Sequence, residues 1–390
     1  MIRKHRLGTL STDNHSGWRA YQDTLRRKSK KNRLWQRPPF WGLLAIVIGT
    51  IICVGYSASV SSIWPENTSA GDLAKKTDPP PANQIDKQTL QRMVAGISPD
   101  RVTAKSISFE TNGTHYQIDT PIDVKLQQAL VDKLRLEHAR YLSIVVLDPV
   151  SGRILSMISH DRVDSKNNTC VDNQFPAASI FKIITAAAAI EAFDLGPNST
   201  LKYNGRKHTL YKNQLKDRQN KYTRRITFED AFAQSINPVF GKLGANRLGK
   251  EKLLSYAEAF GFNHKFDFDL QIAPSHFTVT DTPYQWAEMA SGFNQDTTLS
   301  PLHGAMIAAS VINMGQLVEP TLIDSVTDKN GQVVYRGRPH IVQKAIDTQT
   351  ATIMSKFMQT TIREGTARQV FRGYRKDRIL SRLTLGGKTG

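Results

Sequence analysis

The chain has 390 residues, of which 39% are hydrophobic, and a net charge of +18. This length suits one large domain with smaller attachments, and the apolar content is sufficient for a sizeable core. Its two cysteines, Cys53 and Cys170, exclude a disulfide-stapled scaffold. No group of Cys and His has the spacing of a zinc site, so we expect neither a metal nor a cofactor.

Charge is unevenly distributed at the start of the chain. Residues 1–38 contain eleven Lys or Arg against Asp13 and Asp23, a net charge of +9, and residues 40–64 contain no charged side chain. A membrane-spanning helix needs ~20 mostly apolar residues, and Lys and Arg are retained on the cytoplasmic side. We therefore predict a basic cytoplasmic tail at 1–38, a single transmembrane helix at 39–63 and an extracytoplasmic remainder.

Two other interpretations of the apolar stretch fit its length and flanks less well. A cleaved signal peptide would find small residues at Ser57-Ala58-Ser59, but a 38-residue leader and so long an apolar stretch are atypical of one. The basic flank argues against a buried helix of a soluble protein. Because the basic tail adjoins a predicted membrane span, membrane lipids explain it better than nucleic acid does.

A linker and a small domain are predicted after the span. Residues 64–88 are polar and contain four prolines, which indicates an extended linker. Residues 89–138 are predicted to form a small pedestal. Within them, segments 106–110 and 114–118 flank Asn112-Gly113, which is a strong signal for a β-hairpin because a type I′ turn needs positive φ at both central positions.

The main domain is predicted at 139–390. Its first elements are two apolar strands, Leu142–Leu147 and Arg153–Ser159, joined by a turn into an antiparallel hairpin. Ile180–Phe193 is apolar and rich in alanine, which predicts a helix that is buried all round. Further helices are predicted at 124–134, 227–261, 302–313 and 347–362, and a last strand at Leu383–Gly390.

One segment of the main domain is strongly basic. Residues 196–225 contain nine Lys or Arg against Asp217. A charge run of this kind is usually a solvated loop, and that is our prediction. Contact with an anionic polymer is the alternative.

Three short motifs occur in order along the main domain. They are Ser179-Ile-Phe-Lys182, Ser235-Ile-Asn237 and Lys388-Thr389-Gly390. Each is weak alone, because similar spacings recur at Ser199…Lys202 and Ser165…Asn167. Neither duplicate has a suitable context, whereas Ser179 opens the predicted buried helix.

The first motif predicts a nucleophile and its base. At a helix N-terminus, Ser179 lies near unsatisfied N–H groups and the positive end of the helix dipole, which favour a developing anion. Lys182 is one turn further on the same face. A lysine can remove the serine proton when burial and a second cation keep it neutral, and Lys388 is the candidate for that cation. The alternative is a helix-capping serine beside a solvated lysine.

The other two motifs predict supporting roles. Ser235 would relay protons, and Asn237 would hold the amide of a peptide substrate. Thr389, together with Lys388 and Gly390, would bind the terminal carboxylate of that substrate.

At these residues the chain resembles the transpeptidase domain of penicillin-binding proteins, which share the same three motifs. The resemblance covers roughly residues 115–390. It extends to further segments, which are Asp148–Leu155, Thr227–Gln234, Gly292–Leu302 and Glu364–Ala367.

The resemblance implies an α+β fold, an α/β sandwich in which a central antiparallel sheet is flanked by helices. It also implies a D-alanyl-D-alanine stem peptide of peptidoglycan as substrate and β-lactams that acylate Ser179. No space is left for a glycosyltransferase module, so the monofunctional, class B-like type is expected on the bacterial cell membrane. Other cell-wall synthesis proteins are candidate partners, and no nucleic acid is expected.

The chain departs from the family pattern at its end. It stops at Gly390, inside the third motif, where the resemblance implies further strands and a second backbone donor to the oxyanion hole. We therefore expect the intact protein to run on for several tens of residues. The alternatives that remain are a serine β-lactamase, a D,D-carboxypeptidase and an inactive truncated membrane scaffold.

Overall fold

The computed structural model describes residues 85–95, 105–111 and 113–390. The predicted cytoplasmic tail and membrane helix lie outside these residues, as does nearly all of the predicted linker. Within the described part of the chain, no helix is long and apolar enough to cross a membrane.

The strands pair antiparallel throughout. The hairpin predicted around Asn112-Gly113 is confirmed, with Gly113 at φ +71°. The hairpin predicted at the start of the main domain is confirmed as well. The strands are β1 (Ser106–Thr111), β2 (Thr114–Asp119), β3 (Tyr141–Leu147), β4 (Ile154–Asp161), β5 (Thr200–Tyr203), β6 (Arg224–Thr227), β7 (Gln316–Val318), β8 (Ser325–Asp328), β9 (Val333–Arg336) and β10 (Ile341–Lys344).

One four-stranded sheet joins distant parts of the sequence, in the order β1-β2-β8-β9. Strand β2 pairs with β8 from Tyr116 opposite Asp328 to Asp119 opposite Ser325. The N-terminal hairpin is therefore attached to the main domain by a continuous hydrogen-bond ladder. The other strands form two-stranded ribbons, β3-β4, β5-β6 and β7-β10.

The helices predicted at 124–134, 227–261, 302–313 and 347–362 are present, whereas the helices Lys87–Val94 and Pro283–Ser291 were not predicted from the sequence. The longest is α9, whose bounds differ by one residue from the predicted range. The α-helices are α1 (Lys87–Val94), α2 (Val124–Val131), α3 (Lys182–Phe193), α4 (Phe228–Ala233), α5 (Asn237–Leu243), α6 (Gly249–Ala259), α7 (Pro283–Ser291), α8 (Pro301–Ile312) and α9 (Thr348–Arg363).

The main core surrounds α3. Every residue of this helix from Lys182 to Ile190 is buried, as its alanine-rich sequence predicts. The alanines allow neighbouring helices to approach closely, and phenylalanines of α4, α5 and α9 fill the space between them. Phe228 and Phe357, for example, meet edge to face with ring centroids 5.2 Å apart. The core therefore fixes the position of the helix that follows Ser179.

The strand predicted at Leu383–Gly390 is not present. Apart from an isolated bridge at Thr384, the segment has no regular secondary structure and belongs to none of the sheets formed by the described residues. A strand is defined by its ladder to a neighbour, and Leu383–Gly390 instead packs against α9, where Gly387 N–H donates to the carbonyl of Met358 at 3.0 Å. For the same reason the strands β3 and β4 remain a two-stranded ribbon, and the single central sheet that the resemblance implies is not assembled within the described residues.

Candidate active site

Ser179 lies in a tight turn that leads into α3. Residues Ala178–Phe181 form a 3-10 turn, and the α-helix begins only at Lys182. Ala178 has φ +47°, a conformation that costs a residue with a side chain ~1–2 kcal/mol. Ser179 is partly exposed, whereas Lys182 is fully buried. The turn thus presents a hydroxyl to the outside directly above a buried amine.

A glycine lies beneath this turn. Gly292 follows α7 with φ +63°, and a Cβ on it would lie 1.7 Å from the carbonyl oxygen of Ala178 and 2.9 Å from the nitrogen of Ser179. Any other residue would therefore displace the backbone that carries the hydroxyl. The fold places the end of α7 in direct contact with the nucleophile turn.

The amine of Lys182 is surrounded by three oxygen atoms. Its Nζ lies 2.7 Å from Oγ of Ser179 and 2.8 Å from Oδ1 of Asn237, and it contacts the carbonyl oxygen of Ser291 at short range. The amide and carbonyl oxygens can only accept, so they hold two N–H bonds of the amine. The third contact of the amine is with the hydroxyl of Ser179, which can donate a hydrogen bond as well as accept one. In a neutral amine, the lone pair therefore points at the proton of Ser179.

Burial determines the charge of this amine. Burial, with the nearby Lys388 as a second cause, holds the pKa of Lys182 well below its ordinary value. Burial also lowers the pKa of Lys388 to about 7. In both cases the low-polarity interior disfavours the charged form. Lys182 is thus more readily neutral, and so able to accept a proton, than an exposed lysine.

Ser235 lies between α4 and α5 in a strained conformation, with φ +53°. Its Oγ accepts a hydrogen bond of 3.1 Å from Nζ of Lys388. Asn237 begins α5, and Pro238 follows it in the first turn of the helix. In the second motif, Ser235 therefore contacts Lys388 and Asn237 contacts Lys182, so the motif lies between the two lysines.

The third motif runs past the other side of the turn. Lys388 is buried and also donates to the carbonyl of Thr389 at 2.7 Å. A Cβ on Gly390 would lie 3.3 Å from Cγ1 of Ile180, the residue after Ser179. All seven residues predicted for the site are thus brought into one cluster.

Four further residues contact the cluster without having been singled out from the sequence. Ser291 and Gly292 shape the floor below Lys182 and Ser179, and the Oγ1 atoms of Thr366 and Thr389 lie 2.7 Å apart. The fourth is His208. Burial and nearby lysines lower the pKa of its imidazole. A hydrogen bond with the backbone of Ser235 acts in the opposite direction but does not outweigh them.

Sequence signals existed for three of them. Gly292 and Thr366 belong to segments on which the family resemblance rests, and Ser291 immediately precedes one. His208 lies in the basic segment 196–225, where no motif distinguished it. Cys170, the cysteine of the main domain, is buried in a separate core cluster with its thiol 3.0 Å from the carbonyl of Ile158.

Known proteins resemble this chain. The model of the penicillin-binding protein transpeptidase domain matches residues 142–390. The chain therefore belongs to the penicillin-binding protein transpeptidase family.

Two curated relatives illustrate the similarity. The stage V sporulation protein D of Bacillus subtilis is 28% identical over 290 residues, which cover 69% of this chain and 43% of that protein. The peptidoglycan D,D-transpeptidase PbpA of Mycolicibacterium smegmatis is 27% identical over 278 residues, which cover 62% of this chain and 55% of that protein. The chain thus spans about half the length of the curated relatives it matches.

Solved structures agree on the fold. The ceftriaxone acyl-enzyme complex of penicillin-binding protein A from Mycobacterium tuberculosis superposes with a TM-score of 0.53 at 25% identity, covering 63% of this chain and 61% of that one. Another crystal structure of the same mycobacterial protein gives a TM-score of 0.57 at 23% identity, with 67% and 66% coverage. These neighbours combine helices with antiparallel sheet, as this chain does.

Proposed function

We propose that this chain is a peptidoglycan D,D-transpeptidase that cross-links stem peptides through an acyl-serine intermediate and binds penicillin covalently. The observation that carries the proposal is the 2.7 Å contact between Nζ of the buried Lys182 and Oγ of Ser179. A serine hydroxyl is a weak nucleophile until a neighbouring base takes its proton. A neutral, fully buried lysine at this distance is such a base.

Acylation is the first step. Oγ of Ser179 attacks the carbonyl carbon of the penultimate D-alanine while its proton passes to Nζ of Lys182. The backbone N–H of Ser179 faces the developing oxyanion, where a fixed donor is worth ~100-fold or more in rate. The C–N bond then breaks, and the new ester joins the peptide to Ser179.

The leaving group must receive a proton as it departs. Lys388 and Ser235, joined at 3.1 Å, form a relay that delivers a proton to the nitrogen of the departing D-alanine. Lys388 and Thr389 bind its carboxylate. Because Oδ1 of Asn237 is occupied by Lys182, the NH2 of Asn237 is the group that holds the carbonyl of the stem-peptide amide.

Deacylation reverses these roles. The amine of a second stem peptide attacks the ester carbonyl and gives up a proton to the Ser235–Lys388 relay, which lost one during acylation. Lys182 returns the proton that it took from Ser179. A new amide bond forms, and Ser179 recovers its hydroxyl proton. In penicillin the amide bond of the β-lactam ring takes the place of the scissile bond, and the opened ring remains attached as an ester.

The relatives support the proposal through what their names state. One is named a peptidoglycan D,D-transpeptidase. Another was solved as an acyl-enzyme complex with a β-lactam, which is the intermediate that this mechanism requires.

The remaining parts of the proposal concern place and organisation. We propose that residues 39–63 anchor the protein in the bacterial cell membrane, with the tail 1–38 in the cytoplasm against anionic lipids. Residues 64–88 would then be the linker, 89–138 the pedestal and 139–390 the extracytoplasmic transpeptidase domain. Other cell-wall synthesis proteins are proposed as partners.

Fluorescent penicillin labelling tests the central claim. The full chain, purified in a mild detergent, is expected to form a covalent adduct that survives denaturation, and Ser179→Ala is expected to form none. Ser199→Ala is the matched control, because Ser199 also precedes a lysine by three residues but its Oγ accepts from the N–H of Gly196 in a turn. Labelling of Ser179→Ala, or no labelling of the folded wild type, would overturn the proposal.

The lifetime of the adduct separates the transpeptidase from a β-lactamase. A transpeptidase is expected to hold the penicilloyl ester for many minutes, whereas a β-lactamase would release it within seconds. A D,D-carboxypeptidase would be recognised by release of D-alanine from a stem peptide without an acceptor amine. A membrane scaffold would give no adduct.

A further inference from the structure

The loop that joins β5 to β6 contains a residue that is bonded to the second motif on both sides. The carbonyl oxygen of Lys207 accepts a hydrogen bond of 2.7 Å from the backbone N–H of Asn237. The side-chain Nζ of Lys207 donates at short range to Oε1 of Gln234. Gln234 directly precedes Ser235, and Asn237 follows Ser235 after one further residue. One residue outside the motif thus contacts both flanks of the turn that carries Ser235.

The turn between these two contacts is strained. Ser235 has φ +53°, a left-handed conformation that is unfavourable for a residue with a side chain. Such a conformation persists only where the surrounding structure fixes it. Asn237 begins α5, and the first N–H groups of a helix have no partner within the helix. The carbonyl of Lys207 provides that partner for Asn237, so it fixes the position of the helix start directly after the strained residue.

The segment that carries Lys207 is held in place by contacts of its own. Within residues 204–214, the side-chain amide of Gln214 is buried, and its Nε2 and Oε1 each form a hydrogen bond of 2.9 Å with the backbone of the same segment. The carbonyl of Leu210 accepts a hydrogen bond of 3.2 Å from the hydroxyl of Tyr284, which attaches the segment to α7. Lys207 therefore lies on a well-supported segment and is able to hold the second motif in position.

We propose that Lys207 is a positioning residue that holds Asn237 where its NH2 meets the amide of the substrate. The inference rests on the proposed function and adds to it a residue that lies in none of the three motifs. The side chain of Lys207 matters because its bond to Gln234 attaches segment 204–214 to the end of α4. Without that bond, the carbonyl of Lys207 shifts, and the start of α5 shifts with it.

Two β-lactams separate this role from a general structural one. Benzylpenicillin has an acylamino side chain, whose carbonyl is the group that the NH2 of Asn237 holds. In 6-aminopenicillanic acid a free amine replaces that side chain, so the carbonyl is missing. The ratio of the two acylation rates therefore reports on Asn237. A change that only damages the fold, or displaces Ser179, lowers both rates alike and leaves the ratio unchanged.

Lys207→Met keeps the length of the side chain and removes its amine. The ratio of the acylation rates, for benzylpenicillin over 6-aminopenicillanic acid, is measured by stopped flow on the full chain in detergent. It is expected to fall about tenfold, since a misplacement of ~1 Å in a group that holds the substrate can cost up to ~100-fold in rate. Lys207→Arg keeps a donor for Gln234 and is expected to recover most of the ratio. Lys250→Met is the matched control, because Lys250 also donates to a side-chain oxygen, that of Asp281 at 2.6 Å, but lies outside the site.

A double-mutant cycle tests whether Lys207 acts through Gln234. Gln234→Leu removes the acceptor of the Lys207 amine and is expected to lower the ratio by the same factor as Lys207→Met. Because the two changes break the same hydrogen bond, the double variant is expected to show no further loss. If the two losses instead add in full, Lys207 does not act through Gln234, and the proposal is overturned.

The outcomes distinguish this inference from the function on which it rests. If wild type is acylated and Lys207→Met leaves the ratio unchanged, either with both rates intact or with both lowered equally, the positioning role is overturned and the proposed function stands. If folded wild type forms no covalent adduct with either β-lactam, the proposed function is overturned, and the inference with it.

Discussion

Two regions of this protein shield a lysine from solvent, Lys87 in part and Lys182 completely, and they differ in what surrounds it. Lys87 in α1 contacts Asp269 at 2.5 Å and the hydroxyl of Tyr335 at 3.2 Å. Burial alone would lower the pKa of Lys87, but the attraction of the fully buried Asp269 outweighs it, so the pKa is raised. This amine stays charged and joins α1 to the main domain.

Lys182 is buried more completely, and among the described residues no carboxylate contacts its amine. The oxygen atoms bonded to it, from Ser179, Asn237 and Ser291, are all uncharged, and its pKa is lowered. The comparison teaches that one neighbouring carboxylate decides whether a buried lysine is a structural cation or a base. Four predictions follow from this difference, in order of expected size.

Replacing each lysine with methionine separates the two roles. Lys182→Met keeps the volume of the side chain but removes the base, so the rate of penicillin acylation is expected to fall by about 1,000–10,000-fold. Lys87→Met is expected to lower the free energy of unfolding and to leave the acylation rate of the folded protein within about twofold of wild type. Stopped-flow acylation measures both. An acylation rate for Lys182→Met within tenfold of wild type would contradict the proposed role of Lys182 as the base.

Removing the carboxylate should expose the structural role of the other region. Oδ2 of Asp269 also accepts from the backbone N–H groups of Leu322 and Ile323, at 2.6 and 2.9 Å. Asp269→Ala leaves these donors without an acceptor and Lys87 without its carboxylate partner, and it is expected to lower the free energy of unfolding by about 3–5 kcal/mol.

Asp281→Ala is the control for that measurement. Asp281 contacts Lys250, but its side chain is 87% exposed, so a loss of less than about 1 kcal/mol is expected. Urea unfolding compares the two variants. Equal losses of unfolding free energy in the two variants would mean that burial does not decide how much an ion pair stabilises the fold.

The catalytic region should also be sensitive to backbone position. Gly292→Ala would place a Cβ 1.7 Å from the Ala178 carbonyl, and a displaced Ser179 turn is expected to lower the acylation rate about 100-fold. Gly331→Ala has a similar φ of +78° but no atom within 4 Å of the new Cβ. It should cost ~1–2 kcal/mol of stability without changing the rate. An unchanged rate in Gly292→Ala would contradict the tight fit beneath the nucleophile.

The smallest effect concerns pH and the second buried lysine of the site. The pKa of Lys388 falls from 10.5 to about 7 on folding, so between these values the unfolded chain binds more protons than the folded one. Stability therefore rises with pH in this window, by up to about 1.4 kcal/mol per pH unit. Lys388→Met lacks this contribution, and its unfolding free energy should rise less from pH 7.5 to 9. Parallel slopes for the two proteins would show that Lys388 is charged when folded.

Local patterns in the sequence predicted most elements of the main domain. Two apolar runs joined by a turn indicated β3 and β4, and the alanine-rich run indicated α3, because these signals depend on neighbours in the chain. The prediction of a strand at Leu383–Gly390 was wrong, because a strand also needs a neighbouring strand to pair with, and the local sequence does not identify that neighbour. The pairing of β2 with β8, some 200 residues apart, had no local signal either.

By itself, the sequence determined which chemical groups the site contains. Three motifs named Ser179, Lys182, Ser235, Asn237, Lys388, Thr389 and Gly390, since each motif keeps its residues within one turn or one short segment. Only the tertiary structure decided the state of those groups. Burial and the charge of nearby Lys388 lower the pKa of Lys182, and the close approach of Gly292 fixes the position of the turn that carries Ser179. Both depend on atoms more than 100 residues away, since desolvation and close packing are properties of the folded interior.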